Sequence, residues 1–535
     1  MAFVALRVSV AISAAALLSL AVLHADDKDK KPVKPARKVA PKASPKAPAA
    51  GQGAASQGRG PAGRGGTPAT AGRGATPAAA RDRSGAPRPA GERVTRTPNG
   101  GEIHRAPNGQ IREVHARGMD IVHGPGGSRT IIRERPGHVM VVSNRFGHGY
   151  IERPYAYRGV AFVHRTYFVN GVAFVGVYRP FVIGGIALAV FAPRVYFAPL
   201  FYGWAYNPWV VPVAYPWGWA GNPWFGYYGV YFTPYPVYPS PALWLTDYMV
   251  AQTLQAAYAE QAAALANAQA AAAPAPLTPE VKQAIADEVR RQVALENSEA
   301  AAGQAPPDPG SSGIARMLAD NMPHIFVVSA PLDLASNAGG CPVTEGDVLQ
   351  LNPGTPPNSP SANLMVLASK GLDCRKGSVV TVGVADLQEM QNHMRQTIDQ
   401  GLGELQKNQG KNGLPPAPAS AAAPPTPTAY AAIAPPPDPN VASELSQQTK
   451  EGDEAEREVL SQENTTGPAT EPVAVPPAAP PAAPTTVSLS LGQSPDQVKA
   501  ILGEPQNIVD LGSKKIFVYK NLKVTFNDGK VTDVQ

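Results

Sequence analysis

The sequence predicts a multi-segment, largely low-complexity chain. Its folded parts are a short-strand β-repeat region, a small disulfide-stapled α+β domain followed by a helix, and a small C-terminal α+β module. Three observations predict this. Pro 58 and Gly 51 make up about a fifth of the 535 residues, and Ala-rich runs in such a background bury too little apolar surface to offset chain entropy. Turn dipeptides recur between short β-branched runs from Val94 onward. The two cysteines, Cys341 and Cys374, fall within one compact stretch.

Residues 1–25 read as a signal peptide. Arg7 is the only charge before Asp26, Val8 to Leu23 is almost wholly apolar, and Ala25 offers a cut before Asp26. The apolar run is short against the roughly 20 residues of a spanning helix. This predicts export to the periplasm or outer membrane, or onward to the cell surface. Residues 26–93 carry fifteen Lys/Arg against five Asp/Glu and are expected to be a disordered basic tail. Its charge predicts contact with an anionic envelope surface: lipid, lipopolysaccharide or wall polymer. Arg59, Arg64 and Arg73 between glycines raise polyanion or nucleic-acid binding as a further alternative. Export argues against it, and no specific nucleic acid is expected.

Residues 94–195 read as a β meander. Asn99-Gly100, Asn108-Gly109, Pro125-Gly126, Pro136-Gly137 and Asn170-Gly171 punctuate Ile111 to Val114, Thr130 to Arg133, Val139 to Ser143, Val160 to Val163 and Val172 to Val177. Gly184-Gly185 splits the apolar run 181–193 into two short strands or a bend. His104, His115, His123, His138, His148 and His164 fall here, with no His-x-His or His-x₃-His pair. No metal site is predicted, although ligands can assemble across strands.

Residues 196–244 hold all six tryptophans among frequent prolines. Proline at that density predicts an extended segment. Trp204, Trp209, Trp217, Trp219 and Trp224 are candidate surface-contact aromatics, for sugar rings or a membrane interface. The competing expectation is that the rings form the core of the preceding β-region.

Residues 245–300 read as Ala-rich helices. In the second, Thr278 caps, Pro279 opens, and Val281, Ile285, Val289 and Val293 form one apolar stripe. Residues 314–408 read as strands at Ile325 to Val328, Asp347 to Leu351, Asn363 to Ala368 and Ser378 to Val384. A helix follows, with a capping box of Asp386 and Glu389 and a stripe of Leu387, Met390, Met394, Ile398, Leu402 and Leu405. A disulfide between Cys341 and Cys374 is expected in an exported domain; the sharper alternative is a Cys nucleophile with His324 as base. Residues 411–486 read as a Pro/Ala-rich linker around an acidic stretch, 444–463, without an apolar face.

Residues 487–535 read as a small α+β unit. Ser494-Pro495 opens a helix with Val498, Ile501 and Leu502 inward, and Gly503 stops it. Ile516 to Tyr519, Leu522 to Phe526 and Lys530 to Val534 alternate as strands around Asn527-Asp528-Gly529. The expected core is Val498, Leu502, Tyr519, Val524 and Phe526. The runs Leu491-Gly492-Gln493-Ser494, Leu502-Gly503-Glu504-Pro505 and Leu522 to Val531 resemble the SmpA/OmlA family of outer-membrane assembly lipoproteins. The resemblance covers about 45 residues and implies a two-layer module that docks protein or lipid at the outer membrane.

The chain contains no Gly-x-Ser-x-Gly and no His-Glu-x-x-His. The expected function is therefore non-enzymatic binding or scaffolding in the bacterial cell envelope, without a cofactor. The alternative is a secreted enzyme that acts on wall glycan or peptide through paired carboxylates.

Overall fold

A computed structural model describes residues 85–88, 91–144, 148–169, 171–265, 276–303, 305–336, 339–371 and 373–465. In the C-terminal unit it describes 495, 498–499, 505, 507–510, 514–519, 522–527 and 530–534. The signal segment and residues 26–84 of the basic tail lie outside the described residues.

The meander is a single sheet whose ten strands neighbour one another in sequence order. They are β1 (Arg93–Arg96), β2 (Glu102–Arg105), β3 (Ile111–Ala116), β4 (Met119–His123), β5 (Arg129–Arg135), β6 (Val139–Asn144), β7 (Gly149–Tyr157), β8 (Val160–Val169), β9 (Val172–Ile183) and β10 (Ile186–Ala192). Among the described residues, three hairpins close through two-residue turns with both residues at positive φ, Arg117-Gly118, Arg158-Gly159 and Gly184-Gly185. This is the primed geometry that matches strand twist. Gly184-Gly185 joins β9 to β10 as two strands, as the sequence leads one to expect.

The aromatic segment is not extended throughout. Three of its nine prolines sit at helix starts: Pro199 opens α1 (Pro199–Tyr206), Pro223 opens α2 (Pro223–Tyr228) and Pro241 begins α3 (Pro241–Leu265). Proline is tolerated there because the first helical N–H has no partner to lose. The second long helix is α4 (Pro279–Ala301), capped by the Thr278 side chain accepting from Val281 N. Two short helices follow, α5 (Pro309–Ser312) and α6 (Ile314–Ala319).

A second, six-stranded antiparallel sheet contains β12 (His324–Val327), β13 (Leu332–Ser336), β14 (Gly339–Val343), β15 (Val348–Leu351), β16 (Ser361–Ala368) and β17 (Val379–Gly383), in the order β12-β15-β16-β17-β13-β14. The β13–β14 hairpin was not anticipated. The disulfide between Cys341 and Cys374 is present, and among the described residues no cysteine is free. That removes the nucleophile alternative.

The following helix, α7 (Val384–Asn408), buries Leu387, Met390, Met394, Ile398, Leu402 and Leu405. The expected capping box does not form. The helix starts two residues before Asp386 with Gly383 as its cap, and Glu389 is instead held by Arg165 of β8 at 2.8 and 2.9 Å.

The expected separation of domains gives way to interlocking. One core joins the aromatic segment, α3, α4, α7 and residues of β12 and β15. Residues 411–465 are not a linker. β18 (Thr426–Pro427) pairs with β11 (Val195–Tyr196). Tyr430 of α8 (Ala429–Ala432) stacks on Phe162 with ring centres 5.0 Å apart. The acidic stretch is a full helix, α9 (Val441–Thr465), lying across β2 to β8. The C-terminal unit is a four-stranded antiparallel meander of β19 (Asn507–Asp510), β20 (Lys514–Tyr519), β21 (Leu522–Asn527) and β22 (Lys530–Val534). No helix of the described residues is long and apolar enough to cross a membrane.

Candidate functional site

The ten-stranded sheet sorts its chemistry by face, as period-two alternation requires. One face carries Ile103, Val114, Ile121, Ile131, Val141 and Ile151, all essentially inaccessible. Helix α9 covers it. Val441, Leu445, Gln448, Gly452, Ala455 and Val459 recur at helical spacing along one side of α9, and Val441, Leu445, Ala455 and Val459 pack on those strands. Gly452 lies so close that a Cβ there would meet Ile131 Cδ1 at 2.4 Å. Gln448 Nε2 donates to the carbonyls of Ile131 and Val141 at 3.0 and 2.9 Å.

Around this seam runs a ladder of ion pairs, in which the order along the helix is the reverse of that along the sheet. Arg105 meets Glu463 at 2.5 Å, Arg117 meets Glu458, and Arg129 meets Asp453 at 2.5 Å. Arg133 meets Glu451 at 2.6 Å, Arg135 meets Glu444 at 2.7 Å, and Arg153 meets Asp438 at 2.5 Å. His123 adds Glu456 at 2.9 Å. Arg105 holds the Glu463 carboxyl below the usual carboxylate range, and Arg117 does the same to Glu458. At Asp438, burial pushes upward but Arg153 outweighs it.

The opposite face carries a histidine–carboxylate cluster at its N-terminal end. Cross-strand register sets Glu102 opposite His115, His104 opposite Glu113, and His115 opposite Asp120. The two imidazoles meet edge to face, with centres 5.2 Å apart. His104 Nδ1 lies 2.6 Å from Glu92 Oε1, and His115 Nδ1 lies 2.6 Å from Asp120 Oδ1. Arg88 reaches Glu92 at 2.6 Å, and Arg96 donates to Glu102 at 2.7 Å. The last residues of the basic tail thus belong to the folded sheet. Hydrogen bonds donated to Asp120 and Glu113 push the His115 imidazole up to about 10. The sequence reading missed this cluster because it sought histidine pairs by spacing. The available signal was Glu-x-His, at 102–104 and again at 113–115, on either side of one Asn-Gly turn.

The tryptophans expected at the surface are mostly interior. Trp209, Trp219 and Trp224 are 7%, 9% and 4% exposed, and Trp204 and Trp217 are half-buried against the same core. Trp217 stacks on Trp219 with centres 4.1 Å apart and on Trp244 at 4.9 Å. Its indole N–H donates to Tyr238 Oη, which donates to Asp247. Lys282 closes the chain with Asp247 at 2.6 Å. The rings do form a core, but with the helices rather than with the meander. Val210 and Val211, on the loop after α1, are the fully and largely exposed apolar residues of this segment.

A carboxylate pair exists at Glu296 and Asp399, between α4 and α7. Burial pushes both upward, joined at Asp399 by the charge of Glu296, and Glu296 accepts from Tyr202 at 2.6 Å. His324 lies between Glu288 and Asp320 at 2.9 Å from each.

In the C-terminal unit Val498, Val524 and Phe526 are buried as expected, and Tyr519 packs against them. Phe517 is inward too, so β20 turns the opposite parity from Ile516 and Val518 to the core. Leu502 lies outside the described residues. No family model, curated protein or solved structure matches the chain.

Proposed function

We propose that this chain is a non-enzymatic binding and scaffold protein of the bacterial cell envelope, exported by its first 25 residues and held at the outer membrane or wall. The observation that carries this reading is the arginine–carboxylate ladder. A sheet that pairs five arginines with one acidic helix and a sixth with Asp438 just before it makes a closed, cross-braced platform. Its chemistry is that of recognition between charged polymers. The basic segment 26–93 attaches this platform to anionic lipid, lipopolysaccharide or wall polymer. The C-terminal unit, 487–535, takes a protein or lipid partner, as its resemblance implies.

The test is fractionation of native cells, with binding of the purified chain to anionic vesicles and wall fragments over a salt series. The expected result is envelope association and binding that weakens steeply with salt, because exposed charges are screened over about 10 Å at 0.1 M. Deletion of 26–84 should abolish that binding. A cytosolic chain, or binding that survives the deletion unchanged, overturns the reading.

A further inference from the structure

We infer that Glu102, His104 and His115 form a binding site for one divalent transition-metal ion of the zinc class, with Glu113 as the adjoining carboxylate. The site stands independently of the envelope reading. Ligand atoms of Glu102, His104 and His115 lie within 4.8 Å of one another. Two imidazoles and a carboxylate are the donor set of zinc, nickel or copper rather than of magnesium or calcium, which take oxygen alone.

The orientation of the rings is the more specific observation. Each imidazole presents Nδ1 to a carboxylate, Glu92 for His104 and Asp120 for His115, both at 2.6 Å, and the Arg88 guanidinium also lies 2.5 Å from His104 Nδ1. Histidines that hold metals almost always use their second nitrogen this way, which fixes the tautomer and leaves Nε2 for the ion. His104 Nε2 is buried and has no hydrogen-bond partner. The nearest acid to it is Glu102 Oε2, at 3.6 Å. A buried nitrogen left that way is costly; an ion between it and Glu102 satisfies both. His115 Nε2 stands 3.4 Å from Glu113 Oε1.

Arg88 meets Glu92 and Glu113, and Arg96 meets Glu102. The scaffold is rigid: β2 and β3 are pinned by Ile103 and Val114, which point to the α9 side and are wholly buried. Tetrahedral zinc would draw its ligands to about 3.3 Å from one another, a contraction within reach of side-chain rotation.

The test uses the full chain, stripped with chelator and titrated with zinc chloride by calorimetry, and separately with cobalt(II) followed by visible absorption. The expected result is one equivalent of zinc and an intense low-coordinate cobalt spectrum that zinc abolishes. His104→Gln and His115→Gln should each weaken binding at least tenfold. Glu92→Gln should weaken it by about 10- to 100-fold with the stoichiometry kept. His138→Gln, on an exposed turn of the same sheet, should change nothing. Zinc bound equally by the His104→Gln/His115→Gln double variant, or lost in His138→Gln, overturns the site. Should the cluster variants fail to fold by circular dichroism, the wild-type cobalt spectrum decides alone. A weak six-coordinate spectrum would mean that the cluster is only an ion-pair network.

Discussion

Asn392 shows how one side chain can finish a sheet. β10 is the edge of the meander, and an edge leaves backbone groups unpaired. Asn392 of α7 accepts from Phe191 N at 2.9 Å and donates to Ala189 O at 2.7 Å, standing in for an eleventh strand. Gln388 orients it, donating to its Oδ1 at 2.9 Å. Asn392→Leu keeps the volume but strands two buried backbone groups. It should lower unfolding stability by about 2–4 kcal/mol, read from urea titration; a change below about 0.5 kcal/mol would show that water replaces the amide. One position along, burial pushes His393 down to about 4. Burial, helped by Arg194, does the same to His164. Both depressions favour the neutral folded form, so their contribution is full above about 6.5 and is lost as pH falls toward 4. His393→Phe should flatten that part of the stability–pH curve. An unchanged slope between pH 6.5 and 4 would refute the assignment.

At the scale of the element, α9 decides what the meander is. Its ion pairs are partly or wholly exposed, so each contributes little. Adhesion therefore rests on the narrow seam of Val441, Leu445, Gly452, Ala455 and Val459. Gly452→Phe places a ring where even a Cβ is too close to Ile131. It should undock the helix without unfolding the sheet. Hydrogen exchange should then accelerate in residues 441–465 while β7 to β10 stay protected; slow exchange in both would sink this view. Acid should act in the same direction. The carboxyls of Asp438, Glu456, Glu458 and Glu463 are held below their usual range. Their contribution is present above about pH 4.5 and disappears as pH falls below it.

At the scale of the molecule, covalent and packing constraints act on different parts. The Cys341–Cys374 bridge closes a loop of 33 residues within the second sheet. It should stabilise by about 3–4 kcal/mol in the chain-entropy model. Melting the full chain with and without reductant, with intact mass to count thiols, checks this; identical melts would show that packing alone holds β14. The C-terminal unit has a much smaller core, in which Phe526 and Phe517 meet with centres 4.6 Å apart. Phe526→Ala should cost about 3–5 kcal/mol, enough to unfold a unit of that size. Circular dichroism of residues 487–535 alone, wild type against variant, is the measurement. A variant that melts like wild type would place the ring outside the core.

The sequence by itself determined the local features. Strand alternation and turn dipeptides produced the meander. Thr278-Pro279 and its apolar stripe produced α4, and two cysteines in one stretch produced the bridge. In each case the deciding interactions lie within a few residues or along one repeating face. Only the tertiary structure decided the rest. Pro199, Pro223 and Pro241 break extended chain or open helices depending on what their neighbours pack against, and here the packed tryptophans select helices. The side of α9 that packs on the sheet is made of small and sparse residues, so it reads as polar chain until a sheet with a matching arginine row lies beneath it. His104 and His115 stand eleven positions apart in sequence and are neighbours only because a hairpin turns between them. Charge, burial and coordination are properties of what lies across a gap, and the chain carries that information only once it is folded.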